Sequence, residues 1–327
     1  MLLTVLLVAA GFASEGVSGD EIIAFLESSF GVFQMQQSGN PAGWDRHALQ
    51  RALDDLARYG LVERGQSGRF HITALGRLAG ESAVEVETVL RAVACLRALR
   101  AEDLTDPALI AIAQTSAELD DVYFPFNKVS KHKEPQHWLG QLRAQGISQT
   151  VLGSLQMNVT ARGQETARAK KATVCLYYIS GMAMEEIERA MSQFGGAFDG
   201  SAGPIRSVTS RTCDVLTMIG RIAELLHPPL VLEQRIAKLV LRLDLGTQGA
   251  VVDFARYAER SLDRADYRRL CDAGKTDRDA LGAADDNDLL PLIGNDRRKL
   301  AALHDALERW RRARPAVAAA ALPLYQA

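Results

Sequence analysis

The sequence predicts a mainly α-helical protein with one small β-hairpin near its N-terminal end, and three observations carry that prediction. First, apolar residues recur at steps of three and four, the period of one helix face, most clearly at Ile205, Val208, Thr212, Val215, Ile219, Ile222 and Leu226. Second, helix starts marked by Ser, Thr or Asp and stops marked by Gly recur along the chain. Third, only residues 61–73, LVERG, a QSG turn and RFHIT, read as two short strands around a turn. The 327 residues suffice for two or three compact units, and a hydrophobic content of 47% is ample for their cores.

In order, MLLTVLLVAAGFASEG has no Lys or Arg before its apolar run, so it reads as a buried first helix rather than a secretory leader. The run is also too short to cross a membrane, and no other segment approaches a transmembrane span. Ser18-Gly19-Asp20-Glu21 starts the next helix, with acidic groups at the positive end of its dipole. Gly39 to Gly43 is a loop, and Asp45 caps DRHALQRALDDLARYG, whose Leu49, Leu53 and Leu56 face inward and whose Gly60 ends it. With the hairpin as wing and ALGRLAG after it, residues 1–81 form the pattern of a winged helix. The 45–59 helix mixes Asp45, Asp54 and Asp55 with Arg46, Arg51 and Arg58, which argues against sequence-specific reading of a major groove.

Residues 82–246 read as a helical bundle. Val84 to Leu99 carries an apolar stripe, and Asp106-Pro107 opens a second helix. VYFPFNKVSKHKEPQHWLGQL interleaves Tyr123, Phe124, Phe126 and Trp138 with Lys128, Lys131, His132, Lys133 and His137; it is either a loop docking its aromatics on the core or a base-stacking patch. His132 and His137 lack the further ligands of a metal site. Arg162, Arg168, Lys170 and Lys171 precede an apolar helix broken at Ser180-Gly181, and by default this basic cluster faces solvent, where it can meet a nucleic-acid backbone. Met184, Ile187, Met191 and Phe194 stripe the following helix, and GGAFDGSAG is a flexible linker.

The linker delivers the chain into GPIRSVTSRTCDVLTMIGRIAELL, Gly203 to Leu226. Opposite its apolar seam run Arg206, Ser210, Asp214, Thr217 and Arg221, and His227-Pro228-Pro229 stops it. A helix of this length makes a rod of about 30 Å. That is long enough to span several unstacked nucleotides, and the polar face is either the solvated face of an amphipathic bundle helix or a track with Arg206, Arg211 and Arg221 as cations for phosphates and Ser210 and Thr217 beside them.

From residue 247 onward the chain reads as short helices with tight turns, Gly246 and Gly274 closing two of them. KTDRDALGAADDNDLLPLIGNDRRKLAALHDAL reads as half of a helix-hairpin-helix, with Leu281, Leu289 and Leu292 as core and Gly294 in the hairpin. Such a hairpin offers backbone N–H groups to a phosphate, with Arg297, Arg298 and Lys299 just after it. This end covers residues 247–314, and residues 315–327 are an Ala-rich tail expected to fray.

Three of these runs, RSVTSRTCDVLTMIGRIAELL, RIAKLVLRLDLG (Arg235 to Gly246) and VVDFARYAERSLDRADYRRLCDAG (Val251 to Gly274), resemble the region that follows the motor in superfamily II (DEAD/DEAH-box) helicases of the Ski-type and archaeal repair-type 3′-to-5′ DNA helicase family. Thr73, Leu75, Gly76 and Arg77 resemble that family's run after the wing, and Thr115 to Glu118 a further pattern of it. The resemblance covers nearly the whole chain. It implies a winged helix (1–81), a helical domain (82–246) whose long ratchet helix lies along single-stranded DNA, and a helix-hairpin-helix-like end (247–314). It implies nucleic-acid contact through Arg206, Ser210, Arg211, Thr217 and Arg221, with Lys170, Lys171, Arg297, Arg298 and Lys299 as further basic groups. The family's archaeal form stacks a base on an aromatic of this helix; here Cys213 and Asp214 stand in that region and no aromatic occurs between Phe198 and Phe254, leaving an arginine plane to take that place.

Several chemistries are excluded. Gly274-Lys275-Thr276 lacks the first glycine of a phosphate-binding loop, position 269 being Arg, and reads as a helix cap. Neither a RecA-like ATPase pattern nor a G-x-S-x-G or H-E-x-x-H motif occurs. No cofactor is therefore expected on this chain; ATP and Mg belong to motor domains expected before Met1 or on a separate subunit. The four cysteines, Cys95, Cys175, Cys213 and Cys271, read as reduced thiols of a cytoplasmic protein. A net charge of −2 confines any polyanion contact to a local track. The expected partners are single-stranded or 3′-tailed DNA and the motor, with the chain a monomer. Two other readings stay open: an adaptor that keeps the helicase fold but binds protein, and a winged-helix regulator that binds duplex DNA.

Overall fold

The structure, a computed structural model, describes residues 16–28, 46–126, 133–194, 202–258 and 260–313. The expected helix over the first residues, the 39–43 loop, the Asp45 cap, Lys128, Lys131 and His132, most of the glycine-rich linker and the tail lie outside the described residues. The protein is mainly helical, with one two-stranded antiparallel sheet among the described residues. It forms two compact units, one drawn from Met1–Cys175 and Glu188–Ala237, the other from Leu176–Ile187 and Lys238–Ala327.

The first unit begins with α1 (Gly19–Glu27), α2 (Arg46–Arg58), β1 (Val62–Arg64), β2 (Phe70–Ile72) and α3 (Ala74–Glu81). The expected start of α1 is present as a reciprocal cap, Ser18 Oγ accepting from Glu21 N at 3.2 Å and Glu21 Oε2 from Ser18 N at 2.8 Å. Leu49, Leu53 and Leu56 of α2 are buried, and Gly60 follows in the left-handed conformation that a side chain would strain. The strands pair Val62 with Ile72 and Arg64 with Phe70, and Val17 adds a single bridge to Phe70. The Thr73-x-Leu75-Gly76 run has a local physical basis. Thr73 Oγ1 accepts from Gly76 N at 3.0 Å, capping α3, and donates to the Gly60 and Leu61 carbonyls.

The chain continues through α4 (Val86–Arg97), α5 (Asp106–Ala113), α6 (Ala117–Asp120), α7 (Lys133–Ala144), α8 (Gln149–Gln156), α9 (Gln164–Ile179), α10 (Met184–Ser192) and α11 (Ala202–Leu226), of which Leu176–Ile179 and Met184–Ile187 belong to the second unit and the rest to the first. Helix α11 packs on α3, α4, α5 and α6. Its predicted seam is buried from Ile205 to Ile222, with Leu226 half-buried, and Leu216, Met218, Gly220 and Ala223 widen it. Thr105 caps α5, as a helix start at Asp106-Pro107 requires.

The second unit follows α12 (Glu233–Leu245) with α13 (Val252–Ala258), α14 (Arg264–Asp272), α15 (Arg278–Gly282), α16 (Asp286–Leu292) and α17 (Arg297–Arg312). Phe254, Tyr267, Leu281, Leu289, Leu303 and Leu307 form its core. Gly246 and Gly274 both take positive φ at helix ends, so Gly274-Lys275-Thr276 is a cap, as read from the sequence. At Gly246 the backbone also lets Arg264 lie over the Tyr178 ring, 4.5 Å from its centroid; a Cβ there would overlap both side chains.

Among the described residues, no helix is long and apolar enough to cross a membrane, and no group of three or more His, Cys, Asp or Glu stands ready to hold a metal.

Candidate nucleic-acid interface

Helix α11 supplies the candidate surface. Burying one face of a straight rod leaves the opposite face to water, and Arg206, Ser210, Arg211, Asp214, Thr217 and Arg221 are all exposed there. Arg206 and Arg221 are 15 positions apart in the sequence, about 22 Å along the axis at helical rise.

Beside the C-terminal half of this face lies a groove of about 470 Å³, between α11, the end of α3 and the 82–84 turn. Leu78, Val84, Val215 and Met218 contribute apolar surface, and Ser82, Thr217, Glu118 and Asp214 contribute polar edges. Arg211 and Arg221, three turns apart on α11, both border it. Arg211 pairs with Asp214 at 3.2 Å and Arg221 with Glu81 at 3.5 Å, all four side chains substantially exposed. Exposed pairs of this kind are worth only about 0–1 kcal/mol, so an incoming anion exchanges with them at little cost.

Glu118 is placed by a different logic. It is mostly buried, Oε1 accepting from Glu85 N and Oε2 from Thr88 Oγ1, both at 2.6 Å. The carboxylate therefore caps the start of α4 and holds α6 against it. The sequence marked Glu118 only through a family pattern, with no local signal for its partners, which lie 33 and 30 positions away.

The basic cluster of α9 is a correction. Solvent exposure was expected for Arg168, Lys170 and Lys171, yet all three are buried. Arg168 donates from Nε and Nη2 to Asp120 at 2.7 and 2.6 Å and from Nη1 to the Met157 carbonyl at 2.7 Å. Arg91 Nη1 donates at 2.7 Å to Asp120 Oδ2, the oxygen that also accepts from Arg168 Nη2. Lys170 pairs with buried Glu134 at 2.9 Å beneath the ring of Trp138, whose Nε1 donates to the same carboxylate. Lys171 Nζ donates to the Leu119 carbonyl. Helix α9 is buried on more than one face, so its cations point into the unit and find internal acceptors. Lys170 and Lys171 thus leave the candidate surface.

Burial drives the Lys171 amine down to about 8, the field of Asp120 opposing. The folded state therefore binds the proton less tightly than the unfolded chain, and this residue's destabilising effect fades as pH rises from about 8 toward its ordinary value. Lys171→Met lacks this dependence. Urea titrations are expected to show wild type gaining on the variant across that window by about 3 kcal/mol at most; parallel pH curves would refute a buried amine.

The aromatic segment resolves toward the core. Trp138 and Phe124 are buried, Phe126 is half-buried and packs beside Gly163, and Tyr123 stays exposed. His137 makes edge contacts with Trp138 and Phe194.

In the second unit Arg297 and Arg298 are exposed at the start of α17. The backbone donors expected to meet a phosphate already have an acceptor, since Asp296 Oδ1 accepts from Arg298 N at 2.7 Å and Lys299 N at 3.4 Å. Lys299 reaches back to Asp263 and buried Asp266, each at 2.6 Å, and these hydrogen bonds raise its amine above the usual lysine value. It ties α17 to the cap of α14 instead of facing outward. Among the sequence-selected groups the structure therefore brings together Arg211, Thr217 and Arg221 at one groove, with Arg206 and Ser210 further along the same face; Arg297 and Arg298 belong to the other unit.

The chain matches no protein-family model and no curated protein sequence.

Proposed function

We propose that this chain is the nucleic-acid-gripping accessory region of an ATP-dependent superfamily II 3′-to-5′ DNA helicase, acting on single-stranded or 3′-tailed DNA during repair or replication restart. In this reading residues 1–81 are a winged-helix brace, α11 is the ratchet helix of a helical domain over 82–246, and residues 247–314 are the helix-hairpin-helix-like end. The RecA-like motor, with its ATP and Mg, acts in cis or as a separate subunit. The observation that carries the reading is the exposed face of α11, where Arg206, Arg211 and Arg221 are spaced along one rod and, among the described residues, Arg211 and Arg221 make only exposed ion pairs. Such a row matches a flexible polyanion laid along the helix, and a buried cation would not.

Fluorescence anisotropy with a single strand, a 3′-tailed duplex and a blunt duplex tests it. The expected result is preference for the single strand, with Arg206→Ala/Arg221→Ala reducing the slope of log affinity against log salt by about 1.4, the value for two lost phosphate contacts. Duplex preference supports a regulator instead. The acidic groups Asp214 and Glu118 beside apolar surface favour a second reading, an adaptor binding a protein segment, and failure of the folded chain to bind any DNA selects it.

A further inference from the structure

The exposed face of α11 carries both signs of charge. Arg211, Asp214 and Arg221 stand on it, with Glu81 of α3 beside Arg221, and Arg211 meets Asp214 at 3.2 Å as Arg221 meets Glu81 at 3.5 Å. A row of alternating sign is complementary to a row that runs the other way, and its own copy supplies one. Asp214 and Arg221 lie seven positions apart, two helical turns, and so on one line of the face. A two-fold axis crossing α11 between Thr217 and Met218 exchanges these positions, so that Asp214 comes opposite Arg221 of the second copy and Arg221 opposite its Asp214. The existing pairs are then joined rather than broken: Arg211 and Asp214 of one copy continue into Arg221 and Glu81 of the other, and symmetry makes this row of four twice.

The same axis sets large side chains against small ones. Leu225, 39% exposed, comes opposite the exposed Ser210 of the second copy, and Pro228, exposed just past the helix end, opposite its exposed Ser207. Thr217, exposed at the centre, is small enough to let two rods approach. One register therefore satisfies both charge and size.

We propose that the exposed face of α11 is an interface between two copies of this chain, packed antiparallel about that axis. It replaces the monomer expected from the sequence, and it goes beyond the strand-gripping reading without resting on it. Asp214, Thr217 and Arg221 also border the groove, so the second copy covers its α11 edge. The paired and strand-bound states use one face and exclude each other. Two helix faces make a small contact, so the association is weak and concentration-dependent.

Sedimentation velocity over a concentration series at low ionic strength, with no nucleic acid present, tests the interface. Wild type is expected to pass from monomer to dimer as concentration rises and to return toward monomer in high salt. Asp214→Arg sets cation against cation at both contacts, and Arg221→Asp sets carboxylate against carboxylate. Each variant alone, verified as folded by its melting curve, is expected to associate at least about tenfold more weakly. An equimolar mixture of the two restores opposite charges at both contacts and is expected to regain the wild-type dimer. Wild type that stays monomeric up to about millimolar concentration overturns the interface, and so does a dimer that either variant retains, because another face then carries it. A mixture that stays monomeric overturns the antiparallel register and the proposal with it. The strand-gripping reading stands or falls separately, on binding to DNA.

Discussion

Asp120→Ala is expected to destabilise the first unit by roughly 3–5 kcal/mol, the cost of leaving buried charge without its partner. Asp120 lies between Arg91 and Arg168, each within 2.7 Å, and the Arg168 side chain is only 1% exposed. The carboxylate is the shared acceptor of both guanidiniums. Without it Arg168 retains the Met157, Leu155 and Asn158 carbonyls, and Arg91 retains the Thr115 carbonyl and Glu87. Neutral acceptors and one exposed carboxylate do not neutralise the interior pair, so the loss should appear in full in the urea midpoint. Burial by itself raises the Asp120 carboxyl, but the hydrogen bonds from Arg168 and then Arg91 outweigh it and hold the group below its ordinary value. A lowered folded value means stabilisation that is present above the usual carboxylate range and lost as pH falls through the folded value. Wild type and Asp120→Asn are therefore expected to converge in acid and to separate above it. A loss under 1 kcal/mol for Asp120→Ala, or a gap that does not change with pH, would sink this account.

Gly76→Ala is expected to cost about 3 kcal/mol or more, at the upper end of overpacking. A Cβ built there lies 1.8 Å from the Leu61 carbonyl oxygen and 2.8 Å from its carbon. The obstacle is backbone, and it is pinned: the same carbonyl accepts from Thr73 N and Thr73 Oγ1, at the start of the helix that carries Gly76. Neither side can yield without opening the α3 cap or the hairpin. Gly203→Ala is the matched control, a helical glycine whose would-be Cβ meets nothing within 4 Å among the described residues, where alanine should be neutral or better. Melting temperatures of the two variants decide it; similar values would mean that α3 is not held against Leu61.

Much of the fold was legible because it follows local rules. The Ser18 cap, the stops at Gly60, Gly246 and Gly274 and the buried stripe of α11 each depend on residues within one or two turns of each other. The polar face of α11 was legible for the same reason, since the period that buries Ile205 and Ile219 exposes Arg206 and Arg221.

What periodicity did not reach was the fate of the charges on α9. Arg168, Lys170 and Lys171 look like any solvated basic run, and their acceptors, Asp120, Glu134 and the Leu119 carbonyl, lie 48, 36 and 52 positions away. The Lys299 pairing with Asp263 and Asp266 spans 36 and 33 positions, and the groove joins the 78–84 segment to α11 across more than 120. The sequence by itself thus determined many of the helices and their stops and which face of α11 meets water, because those depend on steric and capping rules that act within a turn, but it did not show α7, read as a loop or a stacking patch, or α8. Only the tertiary structure decided which cations are interior struts and which stay at the surface. A buried charge is tolerated only beside an acceptor, and where that acceptor lies is set by chain segments far apart in sequence.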